Sequence, residues 1–343
     1  MGYSGKIVIP DKVKYGGKEY IVSAIGDWAF WYCSGLTGTL IIPNSVESIG
    51  RSAFQKCENL IGSLTIPNSV KTIGTSAFAS CTGFTGSLII PSSVTKIGSS
   101  AFAGCTSFTG SLAIPNSVSI IEESAFMGLS GLTGSLIIPN SITEIADWTF
   151  YASGFTGMLI IPNSIKKIGA HAFSNCEGFT GSLIIPASVT DIGDNAFSSC
   201  KGFSGSLVIP NSVKSIGAEA FWSCDGFTGT LTIPSSVSSI GGWAFENCKG
   251  FTGSLVIPNS VKCIENGVFS GCEGLESLTI HNRIESIKEY AFKDCKGLTG
   301  SLVIPGSVNS IEKGAFTNCS SLTSVSISNG VTSIGNNAFN GCI

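Results

Sequence analysis

Along most of the chain the apolar residues hold neither a helical nor a strand period for long; they return together every 24 residues. The phrase from Gly62 to Thr85, GSLTIPNSVKTIGTSAFASCTGFT, shows one cycle, with Leu64, Ile66, Val70, Ile73, Ala77, Phe78, Cys81 and Phe84 as its apolar positions. One such phrase cannot cover its own apolar side, but stacked copies can, which is the logic of a solenoid. Leu64-Thr65-Ile66-Pro67 alternates as a short strand, sending Leu64 and Ile66 inward and Thr65 outward. Pro-Asn-Ser then reads as a turn, because Pro presets φ and the Asn and Ser side chains bond to nearby backbone. V-x-x-I-G brings two more residues inward. In A-F-x-x-C, the spacing of Phe78 and Cys81 predicts a single short helical turn.

Registering the copies on this motif gives a Phe column at Phe30, Phe54, Phe78, Phe102, Phe126, Phe150, Phe173, Phe197, Phe221, Phe245, Phe269, Phe292, Phe316 and Phe339, hence fourteen repeats. The step is 24 residues except for three steps of 23, and an Ile stands five residues before every column Phe. A second column of Phe or Leu follows six residues later (five at Phe155), and the two columns contain all 21 Phe of the chain, which makes them core. In the first copy, Gly16-Gly17 between two β-rich runs predicts an inserted hairpin. Residues 1–37 are therefore expected to form an irregular N-terminal capping repeat and residues 38–343 the regular repeats, with no clear C-terminal cap. The unbroken period favours one solenoid over several domains.

With one residue set aside, usually the Gly before Ser-Leu, each copy becomes L-x-x-L-x-I, seen uninterrupted from Leu275 to Ile280 and from Leu322 to Ile327. The full phrase, IPxxVxxIGxxAFxxC, resembles the leucine-rich repeat of the BspA-like class over nearly the whole chain. That resemblance implies an α/β repeat solenoid, a right-handed coil of about 14 repeats of 23–24 residues with a parallel β-sheet on one face. It also implies, as in many relatives, a microbial cell-surface or secreted protein that adheres to host, matrix or cell-surface proteins. Departures from the pattern are Thr149 in the Ala position, a sixth repeat one residue short that lacks the Cys, and His281 in place of the turn Pro.

A formal charge of −3 with 12% charged residues leaves no basic footprint for nucleic acid and no polybasic tract for an anionic membrane. No apolar run reaches the roughly 18 residues of a transmembrane helix, and the start MGYSGKIVIP lacks a signal-peptide pattern. So few charges in a chain with 43 Gly imply that some face is meant to be covered.

Catalytic chemistry finds little support. His171 and His281 are about five coils apart and cannot share a pocket. Glu122-Glu123 reads as a solvated face, and the recurring Gly mark bends rather than a phosphate loop. No enzyme, cofactor or metal is expected. Twelve of the 13 Cys stand three residues after the column Phe, and Leu129 takes that slot in the fifth copy. Buried thiols are favoured there over inter-coil disulfides, for which stacked parallel side chains are poorly aimed, and over metal ligation, which lacks a C-x-x-C or paired His. Cys263 lies outside the ladder and is the candidate reactive thiol. Asn318-Cys319-Ser320 fits a glycosylation acceptor, but its Cys belongs to the ladder.

Two surfaces remain for binding. The first is the outward column of the sheet, with Ile89, Ala113, Ile137, Ile160, Ile184 and Val208 as its centre. The second is aromatic: Trp28, Trp31, Trp148, Tyr151, Trp222 and Trp243, with Tyr32 and Tyr290, on the outer side of the predicted helical turn. The expected function is non-enzymatic capture of a protein ligand, the alternative a structural protein that self-assembles through uncharged faces.

Overall fold

The computed structural model describes residues 5–342. Its chain falls into two compact units, Met1–Ile165 and Lys166–Ile343, and each is a parallel β-solenoid. The predicted rung is present in both. In the first unit Ile41 bridges Thr65, Leu88–Ile89 pairs with Leu112–Ala113, and Leu136–Ile137 pairs with Leu159–Ile160. In the second, Ile184, Val208 and Thr232 bridge in succession. Gly253–Val256 pairs there with Leu275–Thr279, and Gly300–Ile304 with Leu322–Ile327.

A second parallel ladder, which the sequence reading did not foresee, runs through the dipeptide that ends in the Ile five residues before each column Phe. In the first unit it joins Ala24–Ile25, Ser48–Ile49, Thr72–Ile73, Lys96–Ile97 and Ile120–Ile121 in exact step. In the second it joins Lys167–Ile168 through Ser239–Ile240, and again Cys263–Ile264 through Ser333–Ile334. Strands two residues long are too short to show an alternation. The Gly that follows lets neighbouring backbones close in, since a Cβ on Gly74 would lie 2.7 Å from the carbonyl carbon of Gly50.

The helical turn expected at A-F-x-x-C does not form, and no helix occurs among the described residues. The segment is instead a chain of β-turns: the N–H groups of Ala77, Ala79 and Cys81 donate to the carbonyls of Gly74, Ser76 and Phe78 at 3.2, 3.1 and 3.1 Å. The alternate N–H groups, those of Ser76, Phe78 and Ser80, leave the coil and donate to Ser99, Ala101 and Ala103 of the next one at 2.8, 2.8 and 2.7 Å. A helix would aim every N–H along its own axis and leave the neighbouring coil's carbonyls without donors. Turning alternate peptides outward puts Ser76 and Ser80 at φ of 55° and 59°, the third position of type II turns. Among the described residues every non-Gly residue with positive φ lies two residues before or two after a column Phe, and Gly104, Gly128, Gly267, Gly271, Gly314 and Gly341 occupy the same two columns.

Each core is a ladder of rings. In the first unit Phe54, Phe78 and Phe102 stack at centroid distances of 5.4 Å, and in the second Phe197, Phe221 and Phe245 do so at 5.5 and 5.4 Å, all within 7° of parallel. Second-column rings meet them edge-on, as Phe84 meets Phe78 at 6.2 Å and 72°. The Cys slot is a hydrogen-bonding position as well as an apolar one. Cys81, Cys105 and Cys224 donate S–H to the carbonyls of Phe54, Phe78 and Phe197 at 2.9, 3.0 and 3.0 Å. The sixth copy lacks the Cys but not the donor, for Ser153 occupies the slot and its hydroxyl reaches the Phe126 carbonyl at 2.9 Å.

The hairpin is as expected. Lys12–Tyr15 pairs antiparallel with Lys18–Ile21 across Gly16 and Gly17, whose φ of 56° and 77° make the turn type I′. All eight strand residues are exposed.

Candidate binding surface

The rung alternation places its middle residue outward, and the structure bears this out along both units. Ile41, Ile89, Ile137 and Ile160 are 67%, 61%, 58% and 43% exposed in the first unit. Ile184, Val208, Val256 and Val303 are exposed in the second. Ala113 is exposed as well, while Leu112 before it is buried. Beside this column runs another of Thr39, Ser63, Ser87, Ser111, Ser135 and Met158 in the first unit, so neither outward column carries a charge there. Hydroxyls touch along it, as between Ser87 and Ser111 at 3.5 Å. β-branched residues suit any strand, yet each of these Ile and Val residues puts its side chain into water from a rung paired with a neighbouring coil.

The aromatic residues are placed differently from expectation. Trp28, Tyr32, Trp148, Trp243 and Tyr290 occupy the positive-φ columns, so they stand on turns rather than on a helical face. Trp28, Trp31 and Tyr32 are each more than half exposed, and Trp31 lies 5.9 Å from the Tyr32 ring. Trp148 and Tyr151 are 4.8 Å apart. Others are used inside the fold. A Cβ on Gly267 would come within 2.3 Å of the Trp243 ring, which therefore packs directly against that Gly. Trp222 donates its indole N–H to Glu246 at 3.0 Å, and burial raises the Glu246 carboxyl above its ordinary value.

The remaining sequence candidates are accounted for by structure. Glu122 binds Lys96 at 2.6 Å and the Ser99 N–H at 3.0 Å, and the bond to Lys96 holds its carboxyl below the usual range. Burial raises the ladder thiols, Cys57, Cys105, Cys224 and Cys272 to about 12. Cys263 is half-buried, touches Ser286 at 3.1 Å and is also raised by burial. In the second unit an open depression of about 580 Å³ is lined by Thr230, Thr232, Val256, Asn259, Thr279 and His281. His281, at the turn-Pro position, accepts the Arg283 N–H on Nδ1 at 3.1 Å. No group of three potential metal ligands occurs among the described residues, and no helix there is long and apolar enough to cross a membrane.

A profile of the family described as "BspA type Leucine rich repeat region (6 copies)" matches residues 7–133, 108–228, 204–300 and 251–343. Among solved structures, a leucine-rich repeat protein from Bacteroides ovatus ATCC 8483 is 27% identical over 100% of this chain and 88% of its own, with a TM-score of 0.68. A leucine rich cell surface protein from Faecalibacterium prausnitzii A2-165 is 26% identical over 96% of this chain and 88% of its own, with a TM-score of 0.53. A leucine-rich repeat protein from Eubacterium ventriosum ATCC 27560, 22% identical over 89% of this chain and 88% of its own at a TM-score of 0.56, shares the fold. No curated protein sequence matches the chain.

Proposed function

The chain belongs to the family of BspA-type leucine-rich repeat proteins, and from that membership we propose that it is a non-enzymatic protein-binding module, an adhesin-like ectodomain of a microbial cell surface or secretion. Its ligand is a host extracellular-matrix or cell-surface protein, held against the sheet face. The observation that carries this reading is the exposed, charge-free column of mainly β-branched side chains, Ile89, Ile137 and Ile160 with Ala113 among them in one unit, and Ile184 and Val208 in the other. Large apolar side chains kept in water on a rigid frame are what an interface core supplies, because little ordering of the frame is needed when a partner covers them. The Faecalibacterium relative, named as a cell surface protein, supports the location.

The test is capture on an array of purified extracellular-matrix proteins by the parent chain and by the triple variant Ile137→Lys, Ile160→Lys, Ile184→Lys. Saturable binding by the parent and none by a folded variant is the expected outcome. Equal binding by both would move the site to the Trp28, Trp31 and Tyr32 cluster, and no binding to any member would overturn the adhesin reading.

A further inference from the structure

We propose that the sheet face of the first unit is also a self-recognition surface, on which two copies of the chain pair about a two-fold axis. The inference uses the face assigned above but names a different occupant.

Its basis is the order of sizes along the outward column. Reading successive rungs, the residues are Ile41, Thr65, Ile89, Ala113, Ile137 and Ile160, so large and small side chains alternate over the first five. The result is a row of ridges with grooves two rungs apart, and facing layers interdigitate when large residues meet small ones. A two-fold axis lying in the interface, parallel to the strands and between the rungs of Ile89 and Ala113, reverses the stack while keeping each column over its like. Ile89 of one copy then faces Ala113 of the other, Thr65 faces Ile137, and Ile41 and Ile160 close the two ends. The relation is reciprocal, as a two-fold contact requires. In the flanking column Ser87 faces Ser111 and Ser63 faces Ser135, hydroxyl against hydroxyl, and no residue of either column brings a charge that would repel its copy.

The second unit lacks this relief. Its column runs Ile184, Val208, Thr232, Val256, Thr279, Val303 and Ser326, and from Val208 to Val303 methyl and hydroxyl alternate but width does not. The area suits a reversible contact. Six rungs about 4.8 Å apart and a face about 14 Å across give roughly 400 Å² in projection per copy, roughly 800 Å² in all, at the weak end of specific interfaces.

Sedimentation velocity of the purified chain, from about 1 µM to about 1 mM, reads the dimer without any ligand, so its failure is separate from failure of capture on the array. A reversible monomer–dimer equilibrium is expected. Ala113→Ile, which fills a groove, and Ile89→Ala, which removes a ridge, should each weaken it by about tenfold or more, and the double exchange Ile89→Ala with Ala113→Ile should restore it to within about threefold of the parent. Both positions are exposed, so circular dichroism should be unchanged in all three variants. A monomer at every concentration overturns the proposal. So does a tighter dimer in Ala113→Ile, which is what unspecific stickiness would give, and so does a double exchange weaker than either single one.

Discussion

Replacing Cys224 separately with serine and alanine decides whether the Cys slot is held by its hydrogen bond or only by its bulk. The thiol is fully buried and donates to the Phe197 carbonyl at 3.0 Å, which also receives the Cys200 N–H at 3.1 Å. Alanine therefore removes one donor without orphaning the acceptor. It should cost about 1 kcal/mol for the bond and about 1 kcal/mol for the lost sulfur contacts and the small void. Serine keeps the donor in the geometry that Ser153 already shows with Phe126 at 2.9 Å, and should cost about 1 kcal/mol, for the lost apolar contact alone. Without an acceptor in reach the buried hydroxyl would add about 1–3 kcal/mol and make serine the worse of the two. The sign of the difference is thus the readout. Urea unfolding of both variants, followed by circular dichroism, should place Cys224→Ser above Cys224→Ala by about 0.5–1 kcal/mol. Serine falling below alanine by more than about 1 kcal/mol would refute the donor role.

Because burial raises Cys57, Cys105, Cys224 and Cys272 from 9.0 to about 12, their contribution to stability is complete below pH 9 and is lost as the pH rises towards 12, where only the unfolded chain can shed the proton. The unfolding free energy read from urea titrations should fall across that window by on the order of 1 kcal/mol per pH unit for each thiol, and less steeply in a Cys224→Ala variant. At pH 8, alkylation counted by mass should mark half-buried Cys263 and Cys342 before any of the buried ladder thiols. At Ser100, with φ of 55°, exchange to Gly should gain about 0.5 kcal/mol, and to Val should lose more than about 1 kcal/mol, because a β-branched residue is poorly tolerated there. Native-state hydrogen exchange of the surrounding amides reads both, and equal effects would remove the strain argument.

The core was legible because Phe78 and Phe84 recur at fixed distances in copy after copy, and only stacking explains apolar residues on such a long period. The outward direction of Ile89 and Ile137 followed from strand alternation alone. The turn around Phe78 was misread because a residue pair three apart suits a helical turn and a closed β-turn equally, and what decides between them is the neighbouring coil's need for donors. A signal was present in the Ser, Asn and Gly that crowd the positions two before and two after the column Phe, residues that tolerate or readily adopt positive φ. Leu129 made the Cys slot look purely apolar, when Ser153 was the more informative exception. The second ladder escaped because Thr72–Ile73 is too short to carry a pattern.

The hydrogen bonds that leave one coil for the next are the same at nearly every step, and this has a consequence for inheritance. Recombination between copies of the 24-residue phrase would insert or delete a whole coil whose backbone already offers the required donors and acceptors, so the length of a unit can drift without rebuilding its core. The outward column has no such freedom. One coil added between Thr65 and Ala113 would bring ridge under ridge against an unaltered copy, whereas two would keep the phase. Lineages that differ by a single coil would thus share a fold and lose the ability to pair with one another.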